Sequence, residues 1–124
     1  MDFSEVREGK LSELRTAIHE LLDFINEKVP HIIFYSVYFS NDGRYMTVAQ
    51  MHPDAASLEY HMQIGTPAFA KFKDLLQLIS IDLYGKPSQN LLQQLNNKAR
   101  LLGGATLTVH DLHAGINKLS FDLR

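Results

Sequence analysis

The 124-residue sequence contains no cysteine. It therefore has no disulfide framework, no thiolate metal site and no cysteine nucleophile. Long apolar runs are also missing: none approaches the ~20 residues needed to span a bilayer, and the N-terminus lacks a basic segment followed by an apolar one. Neither sign of charge dominates, with 12 Lys and Arg against 14 Asp and Glu, a net charge of -2 and a pI near 6.3. That balance gives no basic footprint for nucleic acid, and the cations are too scattered for a membrane-surface patch. No glycine-rich phosphate loop is present, because Gly103-Gly104 follows a helical pattern instead of opening one. Nor is there a G-x-S-x-G elbow. The expectation is a soluble cytoplasmic protein without a nucleic-acid or membrane partner. At 14.1 kDa it forms one domain over residues 1–124, large enough to bury roughly two-thirds of its extended surface.

What the chain does have is a β-rich hairpin signal, HIIFYSVYFS (His31 to Ser40), NDG, then RYMTVAQM (Arg44 to Met51). Asp-Gly between two such runs predicts a tight turn with Asp42 and Gly43 both at positive φ. With that loop, Phe39 faces Met46, Val37 faces Val48 and Tyr35 faces Gln50 on one side of the ribbon. Tyr38 with Thr47, Ser36 with Ala49 and Phe34 with Met51 share the other. Neither side is simply polar, so the hairpin is expected to be covered on both.

The flanking segments supply the other elements. Phe3 to Glu8 reads as a short strand closed by Gly9. Leu11, Leu14, Ile18, Leu21, Leu22, Ile25 and Val29 fall at helical spacing, and Pro30 ends that helix. Asp54 caps a short helix through Met62; Gly65 interrupts it, and Thr66-Pro67 restarts a second piece carrying Phe69, Phe72, Leu75 and Leu76. Leu78 to Tyr84 reads as a strand with Ile79, Ile81 and Leu83 on one face and Ser80, Asp82 and Tyr84 on the other. Ser88 caps a helix bearing Leu91, Leu92, Leu95, Ala99 and Leu102, stopped by Gly103-Gly104. A last strand covers Ala105 to His113, and the tail from Ala114 to Arg124 carries no assignment.

This order defines an α+β protein with a ferredoxin-like split βαβ core over 1–85 and a C-terminal helix and strand extension over 86–124. Helices in that layout cover one sheet face, so an apolar second face calls for a second copy about a two-fold axis, a homodimer.

Several of these residues resemble a known family. The strand Phe34-Tyr35-Ser36-Val37-Tyr38, the Asp42-Gly43 turn and Asp54 followed by Ser57-Leu58-x-x-His61 look like the antibiotic biosynthesis monooxygenase group of dimeric α+β barrels. Phe69-x-x-Phe72 and Tyr84-Gly85-x-Pro87-Ser88 continue the match, over roughly Phe3 to Leu95. The resemblance implies a homodimer with a pocket in each subunit between sheet and helices. Some relatives oxygenate quinols or polyketide-like aromatics with no metal or flavin, and others degrade haem. Ala68 stands here where many relatives carry a second histidine, Lys73 falls near the position of the haem-ligating histidine, and there is no tryptophan. Haem degradation is therefore disfavoured, and no cofactor is expected.

His61 is the candidate catalytic residue, because an imidazole in a partly dry pocket can take a proton from a phenol or hydroquinone and hold the anion. Equally, it can simply bond a backbone carbonyl at its helix end. Tyr35, Tyr38, Tyr60 and Tyr84 are candidates to line an aromatic pocket with Phe69 and Phe72, though each also fits ordinary core packing. An inward Asp82 would either serve the pocket or meet a cation such as Arg44 or Arg7 across the sheet, and a structural or dimer-contact role suits it. His110, Asp111 and His113 alternate across a strand, which fits a single metal centre poorly. His19, His31 and His52 are dispersed and read as solvated. Two functions stay open: a cofactor-independent monooxygenase acting on a small aromatic or quinol, and a non-catalytic small-molecule-binding or structural barrel protein. A proton-transfer isomerase or decarboxylase using the same pocket ranks behind both.

Overall fold

A computed structural model describes residues 1–118. The elements run β1 (Asp2–Val6), α1 (Leu11–Lys28), β2 (Phe34–Phe39), β3 (Tyr45–Met51), α2 (Ala55–Phe69), a 3-10 segment (Ala70–Asp74), β4 (Leu76–Tyr84), α3 (Gln89–Leu101) and β5 (Thr106–His110). The sheet order is β2-β3-β1-β4-β5, antiparallel except for β5, which lies parallel to β4. The first four strands and two helices make the ferredoxin-like α+β core, and α3 with β5 widens the sheet beyond β4. Residues 119–124 of the unassigned tail lie outside the described residues.

Local chemistry accounts for most of these boundaries. α1 buries Leu14, Ile18, Leu21 and Ile25 along one stripe and stops just before the Val29-Pro30 junction. The Asp54 carboxylate accepts from the Ser57 N–H at 2.8 Å and the Ser88 hydroxyl from the Leu91 N–H at 3.0 Å, so both helices begin on side-chain caps. β2 and β3 pair as Phe34↔Met51, Tyr35↔Gln50, Val37↔Val48 and Phe39↔Met46, the register the hairpin reading requires.

The turn that sets this register differs from the expected one. Only Gly43 has positive φ, at 73°. Its N–H donates to the Ser40 carbonyl at 2.9 Å, while the Asp42 carboxylate accepts from the Ser40 hydroxyl at 2.7 Å and the Arg44 N–H at 3.0 Å. These side-chain bonds hold Asp42 in ordinary backbone geometry and leave the left-handed position to glycine.

Two further expectations are corrected. The break at Gly65 and restart at Pro67 do not occur: α2 runs unbroken through both. Thr66 donates its hydroxyl to the Met62 carbonyl at 2.6 Å, covering an acceptor one turn back as the helix passes the proline, and the chain tightens into 3-10 geometry from Ala70. Gly65 serves packing, since a Cβ there would meet Phe69 Cζ at 2.7 Å. In β4, Ile79 does not share a face with Ile81. Phe3 pairs with Ser80 but Ser4 with Leu78, so Ile79 is the extra residue of a bulge. Leu76, Leu78 and Ile81 are buried while Ile79 is 40 % exposed.

The core lies between the helices and one sheet face, built from Leu14, Ile18, Met46, Val48, Phe69, Leu78, Ile81, Leu91 and Leu95 with their neighbours. The opposite face of the sheet is not covered by the described residues. It carries Phe3, Phe34, Tyr38, Ile79 and Tyr84, each between 37% and 64% exposed, with Phe3 stacked on Tyr45 at 5.3 Å.

Candidate functional site

Polar side chains gather in the interior where α2 and α3 lie over the sheet. His61, on the inner face of α2, is 1% exposed. Its ring lies 5.9 Å from that of Tyr35, 5.5 Å from His52 and 5.6 Å from Phe69, all tilted. Both imidazole nitrogens are without a hydrogen-bond partner among the described residues. Burial, with the nearby Lys98 ammonium and His52, lowers its pKa to about 3 against the pull of Asp2. The ring is therefore neutral at physiological pH.

His52, just past β3, sits half-buried beside it and not in solvent as expected. Its Nε2 lies 2.8 Å from Gln50 Oε1 and its Nδ1 2.9 Å from the Ser57 hydroxyl. With Gln50 Oε1 as an acceptor, the proton belongs on Nε2, and Nδ1 accepts from Ser57. Burial lowers this pKa to about 4, opposed by Asp54. The Gln50 that orients His52 is the cross-strand partner of Tyr35, so hairpin register links the two rings.

On the α3 side, Lys98 Nζ meets Asp2 Oδ2 at 2.6 Å, with each residue 8% exposed. The ammonium also lies 4.6 Å from the centre of the Phe69 ring. Burial, with the Asp2 charge, pushes the Tyr35 phenol far above its ordinary range, so it stays protonated. Asp2, Ser4, Tyr35, Phe69, Phe72 and Lys98 line a cavity of about 40 Å³ whose other lining side chains are apolar. His61 does not line it but touches two of its rings, Tyr35 and Phe69. A broader open groove along α3, bounded by Gln89, Asn90, Gln93, Asn96 and Arg100, holds no comparable cluster of titratable groups.

The structure brings together four of the residues singled out in the sequence, His61, Tyr35, Phe69 and Phe72. Tyr38 and Tyr84 lie on the opposite sheet face, 61% and 64% exposed, and Tyr60 is 48% exposed. Asp82 finds neither Arg44 nor Arg7; its Oδ1 lies 2.9 Å from His110 Nε2, and His110 stacks on Tyr84 at 4.5 Å. No group of three His, Asp or Glu side chains able to hold a metal occurs among the described residues. Among those residues no helix is long and apolar enough to cross a membrane.

Sequence reasoning overlooked Lys98 and Asp2. Lys98 follows Leu95 by three and Leu91 by seven on the buried stripe of α3, which is itself a signal for a paired interior cation.

Fold and site together define a ferredoxin-like α+β protein with a small polar chamber beneath its helices. Among solved structures, the crystal structure of MupZ from Pseudomonas fluorescens is similar, with a TM-score of 0.73 and 14% identity over 97% of this chain and 93% of that one. At that identity the likeness shows the shared fold. No family model matches the chain, and a search of curated proteins returned no match.

Proposed function

We propose that this chain binds a small hydroxylated aromatic or quinol in the chamber between sheet and helices and oxidises it as a cofactor-independent monooxygenase. The observation that carries the reading is His61, fully buried with both ring nitrogens unpartnered among the described residues. Leaving a buried polar atom without a partner costs about 1–3 kcal/mol, a cost that a bound ligand with hydrogen-bonding groups removes. In the reaction, one oxygen atom of O2 enters the product and the other leaves as water, with the substrate supplying both electrons and both protons. The chain's part is to position the ring beside Tyr35, exclude water and take the hydroxyl proton at His61, which contacts the Tyr35 and Phe69 rings from outside the cavity and meets the substrate once Phe69 swings aside. An imidazole held to about 3 is a weak base in the empty site. An oxyanion forming beside it offsets that burial, because an opposite charge favours the imidazolium.

The size of the cavity supports a second reading, binding without turnover. At about 40 Å³ it falls well short of the ~150 Å³ that accommodates a benzene ring. An aromatic ligand enters only when the Phe69 and Phe72 rings swing aside.

Oxygen uptake separates the two. The monooxygenase reading expects consumption with a panel of hydroquinones, abolished in His61→Ala while the fold is retained. Unchanged turnover in that variant removes His61 from the mechanism. Ligand-dependent melting shifts with no uptake establish the binding reading, and turnover without oxygen points to proton-transfer chemistry. The reading includes a homodimer, with the apolar face of Phe3, Phe34, Tyr38 and Ile79 packed on a second copy. Ile79→Glu should then give a folded monomer by light scattering; a wild-type chain that is monomeric at micromolar concentration refutes the dimer.

A further inference from the structure

The mechanism above uses His61 and leaves Lys98 idle, yet a buried ion pair is costly to keep and its apolar replacement is often at least as stable. Lys98 makes a single hydrogen bond among the described residues, to Asp2, although an ammonium carries three N–H donors. Asp2 Oδ2 is engaged by Lys98, and the second carboxylate oxygen has acceptor capacity left. Both side chains line the cavity, as does Tyr35, whose hydroxyl bonds to no described residue and which burial keeps protonated. His61, which feels the charges of both members of this pair from the α2 side, is neutral. The wall thus offers a carboxylate acceptor and an ammonium donor 2.6 Å apart, with a phenol O–H beside them.

Resting on the reading of the chamber as a ligand site, we propose that the Asp2–Lys98 pair recognises a ligand bearing a hydroxyl and a carbonyl on neighbouring carbons of one ring system, an ortho-hydroxycarbonyl. This ligand hydroxyl, distinct from the one that gives its proton to His61, donates to Asp2, and the adjacent carbonyl oxygen accepts from Lys98 and Tyr35. The spacing suits this partner, because the two oxygens of such a group lie about one hydrogen-bond length apart, as do the two protein atoms they meet. A lone phenol satisfies one half of the pair, and a lone ketone or amide the other.

Calorimetric titration with salicylamide, ortho-methoxybenzamide and benzamide tests the assignment. Wild-type protein should bind salicylamide about tenfold or more tightly than either analogue, the worth of one charge-assisted hydrogen bond. The double variant Asp2→Asn/Lys98→Met, which strands neither charge, should bind all three alike. Equal binding of the three by wild type overturns this inference and leaves the ligand-site reading standing. No binding of any of them overturns both. A preference that survives in the double variant overturns the role of the pair. The wild-type comparison is decisive even if the variant fails to fold.

Discussion

Replacing His61 with leucine should make the protein more stable, the reverse of the usual outcome at a fully buried position. The imidazole places two buried polar atoms where no described residue meets them. At about 1–3 kcal/mol for each orphaned group, the fold carries some 2–6 kcal/mol that an apolar side chain of similar volume removes. Against this stand ring contacts with Tyr35, His52 and Phe69. Aromatic pairs of this kind are worth about 0.5–1.5 kcal/mol beyond area burial, and leucine keeps only part of that. The balance is a gain of about 1–3 kcal/mol, which at roughly 1–3 kcal/mol per molar urea raises the unfolding midpoint by about 1 M. The same variant should lose oxygen uptake and any ligand-induced melting shift. Stability gained together with activity lost is the mark of a strained functional site. A midpoint lowered by a comparable amount would refute the reasoning, since it would show the nitrogens hydrogen-bonded in solution and His61 contributing to the fold.

Acid should weaken the fold through the same residues. His61 and His52 are held to about 3 and about 4 against an ordinary 6.5, so below that value the unfolded chain binds protons the fold does not. Stability is therefore complete above about pH 6.5 and falls as pH drops toward those folded values, by up to about 1.4 kcal/mol per pH unit per histidine. His61→Leu should remove about half of that slope in urea midpoints taken between about pH 7 and pH 5; an unchanged slope contradicts the burial of this imidazole. Gly65→Ala would ordinarily stabilise a helix by about 0.5–1 kcal/mol. Here the new Cβ would meet Phe69 Cζ at 2.7 Å, so a loss of about 1–3 kcal/mol is expected on thermal melting, and a gain would mean that the ring does not pack there. Lys98→Met leaves Asp2 buried and unpaired and should cost about 3–5 kcal/mol, most of it recovered in Asp2→Asn/Lys98→Met. Equal stability of the single and double variants would show that the pair is open in solution.

The fold was legible wherever a local rule and the hydrophobic pattern agreed. The hairpin register follows from period-two alternation around a turn, and the Asp54 and Ser88 caps follow from side chains that can meet a free N–H three residues on. Where local rules had no competitor in the sequence they misled. Gly65 and Pro67 are ordinary helix breakers, but here the glycine makes room for Phe69, four residues further along the same helix. The bulge at Ile79 leaves no trace, because an isoleucine suits either face of a sheet with two apolar sides.

The chamber was harder to read because its polar members come from β1, β2, the segment after β3, α2 and α3. Each has an ordinary explanation alone, and Asp2 meets Lys98, 96 positions away in the sequence, only when β1 takes the centre of the sheet. One part of it, however, was within reach of the sequence. Tyr35 and Tyr38 are three residues apart on one strand, and an odd separation puts them on opposite faces whatever the two rings share in chemistry. The pairing of Tyr35 with Gln50 and of Tyr38 with Thr47 already divides them: one tyrosine belongs to the chamber and the other to the bare apolar face. A site built on a pleated sheet is thus constrained first by parity and only then by residue type, and that ordering separates the interior chamber from the exposed apolar face within a single hairpin.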